Sequence, residues 1–134
     1  MAEPSTRITV TEFLSTRLDE DEADACRATP GPWWGYAQGW RDKDGEPIIQ
    51  APNHEIDATW DDIEHVAKWN PARVLAECAA KRRIVKEIET TRRLAETFPG
   101  GSGRLSLVHG LDAVLRLLAL PYADHPDYLE AWRP

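Results

Sequence analysis

The sequence predicts an α+β fold, mainly helical, in which a tryptophan-rich β-hairpin packs against one long helix and a leucine-rich helix returns antiparallel along it. Three observations carry this expectation. Apolar residues recur with helical spacing over three long stretches, the one segment of alternating aromatic character lies between Pro/Gly-rich turns, and Trp69-Asn70-Pro71 combines three independent helix-start signals. With 134 residues, the chain is sized for a single domain spanning 1–134, with a flexible connection at about 99–104.

The first helix is expected over residues 9–27. Val10, Phe13, Leu14, Leu18, Ala25 and Cys26 lie near one side and an Asp/Glu run covers the other. Thr9 or Thr11 can cap it, and Glu12 falls in the first turn, where the helix dipole favours a carboxylate. Thr29-Pro30-Gly31-Pro32 must stop it, because two prolines remove amide donors. Residues 33–40 then alternate in the β manner, Asp42-Lys43-Asp44-Gly45 supplies a turn, and residues 47–50 return as a second strand. In one continuous strand, Trp34, Tyr36 and Trp40 would share a face opposite Trp33 and Gly35. A third short strand is possible around residues 55–57.

A short helix is expected over residues 61–66, capped by Thr59, with Asp61, Asp62 and Glu64 near its positive end. The main helix begins at Pro71, with Asn70 as N-cap and Trp69 placed to staple onto Val74. It runs to about residue 97, with Val74, Cys78, Val85, Ile88, Ala95 and Phe98 in one stripe widened by Leu75, Ile84 and Leu94. That length is about 40 Å, against a radius of gyration near 14 Å for a domain of this size. Such a helix is either the spine of the fold or a surface for a second copy, which makes a homodimer the expected assembly. After the break at Pro99-Gly100-Gly101-Ser102-Gly103, residues 105–120 form the leucine-rich helix, whose apolar face needs complete cover. Pro121 ends it, and Pro126 opens a last helical turn.

The net charge of −7 argues against bulk nucleic-acid binding, since the phosphate backbone rewards a basic surface. The average conceals a division. Residues 1–70 carry 6 Lys/Arg against 15 Asp/Glu, whereas residues 71–134 carry 10 against 8. Arg82, Lys86 and Arg93 can form one positive strip on the long helix. Either the two charged regions are simply solvated, or the strip receives an anionic ligand or an acidic partner. No segment approaches an uninterrupted membrane span, so no membrane partner is expected. No secretory pattern opens the chain, and the expected compartment is the cytoplasm. Cys26 and Cys78 read as buried thiols rather than a disulfide.

Catalytic motifs are lacking: no serine stands in a G-x-S-x-G elbow, and the glycine-rich segment lacks the lysine of a phosphate loop. No cofactor is implied. His54, Asp61 and His65 are a weak candidate metal set, which would serve a metal-dependent hydrolase of nucleotides; the plainer reading has the acids serving the helix start and His65 packing beside Trp69. The six tryptophans are the other anomaly. Beside the basic strip, Trp33 and Trp34 would suit a planar anionic ligand such as a nucleotide, and the plainer reading has the tryptophans filling a small core.

Several blocks carry a resemblance: Ala28-Thr29-Pro30-Gly31-Pro32-Trp33, Asn70-Pro71-Ala72-Arg73-Val74-Leu75, Ala80-Lys81-Arg82-Arg83-Ile84, and Leu115-Arg116-Leu117-Leu118-Ala119-Leu120-Pro121-Tyr122-Ala123-Asp124-His125-Pro126. In this order they resemble a family of small actinobacterial and actinophage proteins catalogued as a domain of unknown function. The resemblance implies a fold type and a phage-related setting, and no reaction. The expected function is a non-enzymatic accessory binding protein that captures a small anionic ligand or a host protein. Its expected site is where Arg82, Lys86 and Arg93 meet Trp33, Trp34, Tyr122, Asp124 and His125. The alternatives are the hydrolase and a purely protein–protein module.

Overall fold

The computed structural model describes residues 7–50, 58–97 and 102–134. In chain order the elements are α1 (Val10–Arg27), β1 (Trp34–Tyr36), β2 (Gly39–Arg41), β3 (Pro47–Gln50), α2 (Trp60–Lys68), α3 (Pro71–Thr97) and α4 (Ser102–Ala119), followed by 3₁₀ turns at Leu120–Tyr122 and Glu130–Trp132. The fold is α+β and mainly helical. The chain divides into two compact units, one of Glu20–Ala79 and one of Met1–Asp19 with Ala80–Pro134, so the division falls inside α1 and inside α3.

In the unit of Glu20–Ala79, local chemistry sets each boundary. Asp42 nucleates the turn before β3 as expected, its Oδ1 accepting from the backbone N–H groups of Asp44 and Glu46 at 2.9 Å each. The first expected strand, however, is two strands. The chain reverses after Tyr36, and β1 pairs antiparallel with β2 in the register Trp34↔Arg41, Gly35↔Trp40, Tyr36↔Gly39. Gly39 permits this, having φ 144° and lying so close to β3 that a Cβ there would sit 1.7 Å from the Ile49 carbonyl oxygen. The three-stranded sheet has the order β1-β2-β3. Trp40 therefore shares a face with Gly35 rather than with Trp34. It is 9% exposed and its indole N–H donates to the Ile63 carbonyl at 2.8 Å, whereas Trp34 is 54% exposed. The sheet thus rests on α2, where the sequence expectation had it on the long helix: α2 brings its buried Ile63 and a carbonyl that the indole needs. The possible strand at 55–57 lies outside the described residues.

Thr59 caps α2 in a reciprocal box with Asp62. The Asp62 N–H donates to Thr59 Oγ1 at 3.2 Å and the Thr59 N–H to Asp62 Oδ2 at 3.0 Å. The Thr59 backbone bond, then its side-chain bond, hold the Asp62 carboxyl below the usual carboxylate range. Asn70 caps α3 as expected, its Oδ1 accepting from Ala72 and Arg73 N–H at 3.0 and 3.3 Å while its Nδ2 donates to Ala67 O at 2.9 Å. Cys78 is buried as expected, but Cys26 is exposed, because it follows the buried Ala25 by one residue and so turns about 100° away from the core.

In the other unit the core gathers on Phe13, Leu14 and Leu18 of α1, Ile88 of α3 and Leu115 and Ala119 of α4. The C-terminal tail closes over Phe13. The Phe13 ring meets Tyr122, His125, Tyr128 and Trp132 at centroid separations of 6.4, 5.7, 5.8 and 5.2 Å. Asp112 ties α3 to α4, pairing with Arg92 at 3.3 Å and Arg116 at 2.8 Å, and Arg116 in turn donates to the Ala131 carbonyl at 3.1 Å. The leucine face of α4 lacks the complete cover expected of it. Leu115 and Ala119 are buried, whereas Leu105, Leu107, Val114 and Leu117 are exposed. By length and composition alone, Gly103–Tyr122 is apolar enough to cross a membrane, although polar residues interrupt its apolar run.

Candidate functional site

The residues proposed from sequence fall in both units. Trp33 and Trp34 belong to Glu20–Ala79, whereas Arg82, Lys86, Arg93, Tyr122, Asp124 and His125 belong to the other. Within the latter, Arg82 and Lys86 share a shallow depression of about 130 Å³ with Ser15, Leu18, Val85 and Glu89. Arg93 does not line it. Arg82 is ion-paired with Asp19, so one of the two bases is already matched by a carboxylate. The volume lies well below the roughly 300–1,000 Å³ typical of small-molecule pockets, which is too small to enclose a nucleotide.

Tyr122 and His125 lie against Phe13. The Asp127 N–H donates to His125 Nδ1 at 3.0 Å, and the guanidinium of Arg17 meets His125 Nε2. Arg17 is 6% exposed and lies over the Phe13 ring at 5.2 Å. Asp124 is exposed on the surface of the same tail. The sequence did not single out Arg17. Its position i+4 from Phe13 on α1 was the available signal, since that spacing stacks a cation over an aromatic ring.

The unit Glu20–Ala79 carries a cleft of about 400 Å³. Its walls are Ala25 of α1, Trp33, His65 and Val66 of α2, Trp69, and Pro71 and Val74 of α3, with Asp21 and Asp24 contributing carboxylates. The local sequence explains the walls. Trp33 directly follows the Pro/Gly stop, and its indole N–H donates to the Thr29 carbonyl at 2.9 Å, which fixes the ring. Trp69 stands before the Asn70 cap, half-exposed, with the Arg73 guanidinium 4.1 Å from its ring centroid. His65 lies 6.4 Å from Trp69, as the plainer reading of this histidine expected. The α1 stop packs tightly on the cap: a Cβ on Gly31 would lie 2.2 Å from Asn70 Oδ1. Of the sequence-proposed residues, this cleft contains Trp33, along with His65 from the weak metal set. Trp34 is not part of it.

Asp61 is exposed on α2, and His54 lies outside the described residues. Among the described residues no group of three or more His, Cys, Asp or Glu side chains is placed to hold a metal ion.

Residues 7–134 match the sequence profile described as "Family of unknown function (DUF6221)". The chain belongs to this family. The match covers all of the described residues, so both the Phe13 cluster and the Trp33–Trp69 cleft lie within the family's domain. No curated protein and no solved structure matches the chain.

Proposed function

We propose that this family member is a non-enzymatic binding protein whose ligand seats in the cleft between Trp33 and Trp69. The lining of that cleft carries the reading. At about 400 Å³ it has the size of a small-molecule site, two indoles and an imidazole give it flat walls, and its charged lining is Asp21 with Asp24, which is ion-paired with Arg27. Aromatic faces attract cations through their quadrupole, and carboxylates reinforce that preference. Arg73 already uses one face of Trp69 in this way. The ligand class favoured is therefore a small organic cation with a planar or apolar body, in place of the anion expected from the basic strip, whose depression is small and already furnished with Asp19 and Glu89.

Thermal-shift and titration calorimetry with aromatic amines such as tryptamine and benzamidine, set against a nucleotide panel, test the proposal. A ligand at one hundred times its dissociation constant stabilises the folded state by about 2.7 kcal/mol. Amines are expected to stabilise the wild type, and Trp69→Ala is expected to weaken binding at least tenfold. Stabilisation by nucleotides without any response to amines would overturn the reading, as would amine binding that Trp69→Ala and Asp24→Asn both leave unchanged.

A further inference from the structure

Within the unit of Met1–Asp19 with Ala80–Pro134, the exposed large apolar side chains lie mostly on α3 and α4. Leu94 is 55% exposed, Leu107 45%, Val114 40% and Leu117 56%. Their spacing is regular. On α4, Leu107, Gly110, Val114 and Leu117 follow i, i+3, i+7, i+10, the first-and-fourth pattern of a heptad seam. On α3, Ile84 and Leu94 take the first and last places of the same spacing, with Glu87 and Thr91 between them. Ile84 and Thr91 face Leu111 and Val114 across an apolar groove of about 450 Å³. The two helices thus form a layer with its outer seam open, which is half of a four-helix bundle.

We propose that a second copy of this chain covers the groove, packing its own α3 and α4 across it about a two-fold axis. Charge favours this occupant. Arg83 and Glu87 both line the groove, both are exposed, and they stand one helical turn apart. A two-fold axis passing near residue 85 sets Arg83 of each copy against Glu87 of the other, so one patch supplies both halves of two ion pairs. A lipid surface offers no such reciprocal partner for Glu87. Gly110 points the same way: among the described residues nothing lies within 4 Å of where its Cβ would stand, although a mid-helix glycine costs about 1 kcal/mol. A partner helix approaching closely at that point gives the glycine a packing role. The area is adequate as well. Eighteen residues of α4 and two helices about 10 Å across make a face of roughly 500 Å² in projection, of the same order as the ~800 Å² that each partner contributes to a stable interface.

The proposal does not depend on the Trp33–Trp69 cleft, which has a different lining. Sedimentation equilibrium of the full chain is expected to give twice the 15.1 kDa chain mass at micromolar concentration. Leu117→Glu, at an exposed position, is expected to give a monomer with an unchanged circular dichroism spectrum; Leu94→Glu provides the same test from α3 should that variant fold poorly. Arg83→Glu and Glu87→Arg are each expected to raise the dimer dissociation constant about tenfold or more, and the double swap to restore it to within about threefold. A monomeric wild type at 50 µM would overturn the proposal, as would a dimer indifferent to Leu117→Glu and Leu94→Glu or a double swap no tighter than the singles. Co-sedimentation with phosphatidylcholine/phosphatidylglycerol vesicles, in a protein that is monomeric without them, would assign the face to lipid instead.

Discussion

Phe13 is the point on which the C-terminal tail depends, and replacing it separates two contributions. The ring is 2% exposed, meets Tyr122, His125 and Tyr128 edge-on and lies tilted against Trp132. Phe13→Ala removes the buried area and leaves a cavity, at a cost of about 3–5 kcal/mol. Phe13→Leu retains most of the apolar burial and loses mainly the ring–ring geometry. At the low end of about 0.5 kcal/mol per aromatic pair, four pairs make that loss about 2 kcal/mol. For a chain of this length each kcal/mol moves the midpoint of thermal unfolding by roughly 3–4 °C, so Leu is expected to lower it by about 7 °C and Ala by about 10–18 °C. Calorimetry measures both. Hydrogen exchange adds a local readout, because the amides of Tyr128, Trp132 and Arg133 donate to the His125, Leu129 and Glu130 carbonyls within the tail. In Phe13→Ala these amides are expected to lose protection before those of α2. A Leu variant as stable as wild type would refute the ring-geometry argument, and an Ala variant with full tail protection would refute the role of Phe13 as anchor.

Two further outcomes follow from the caps. Asn70→Ala leaves the Ala72 and Arg73 amides without their side-chain acceptor and is expected to cost about 1–2 kcal/mol in urea unfolding; Gly31→Ala should displace the same side chain, so the double variant is expected to cost clearly less than the sum of the singles. The Asp62 carboxyl is held below its ordinary value of 3.8, so its contribution to stability is fully present above that pH and is lost as pH falls through the lowered folded value; Asp62→Asn is expected to flatten the acid limb of the stability profile below pH 3.8, and an unchanged limb would remove the cap as its cause.

The parts of the fold legible in sequence were those whose chemistry is local. Thr9, Thr59 and Asn70 are short polar side chains that satisfy amides two or three residues ahead, and each caps the helix it precedes. Asp42 likewise folds its own turn. Elements decided by distant partners were not legible. Whether residues 33–40 form one strand or two depends on how closely Gly39 approaches Ile49 on β3, a contact that alternation within the segment does not encode. Trp40 is buried, its indole N–H accepted by the Ile63 carbonyl 23 residues away, while Trp34 has no such acceptor among the described residues and stays exposed. Similar residues therefore had different fates on one small sheet.

The basic strip illustrates the same limit for function. Arg82, Lys86 and Arg93 share a helical neighbourhood in sequence, yet a ligand site needs concavity as well as charge. Asp19, on another helix, takes one member of the strip, and the shallow depression beside it is about 130 Å³. The more capacious cleft arises where the Pro/Gly stop of α1, the end of α2 and the Asn70 cap converge, and its tryptophans are those that flank these local signals. The chemistry of a helix stop and a helix cap is readable one residue at a time; that they bring Trp33 and Trp69 into one wall is a property of the loops meeting. The proposed ligand site therefore lies at the helix ends, where aromatic walls meet carboxylates, and not along the basic strip of α3.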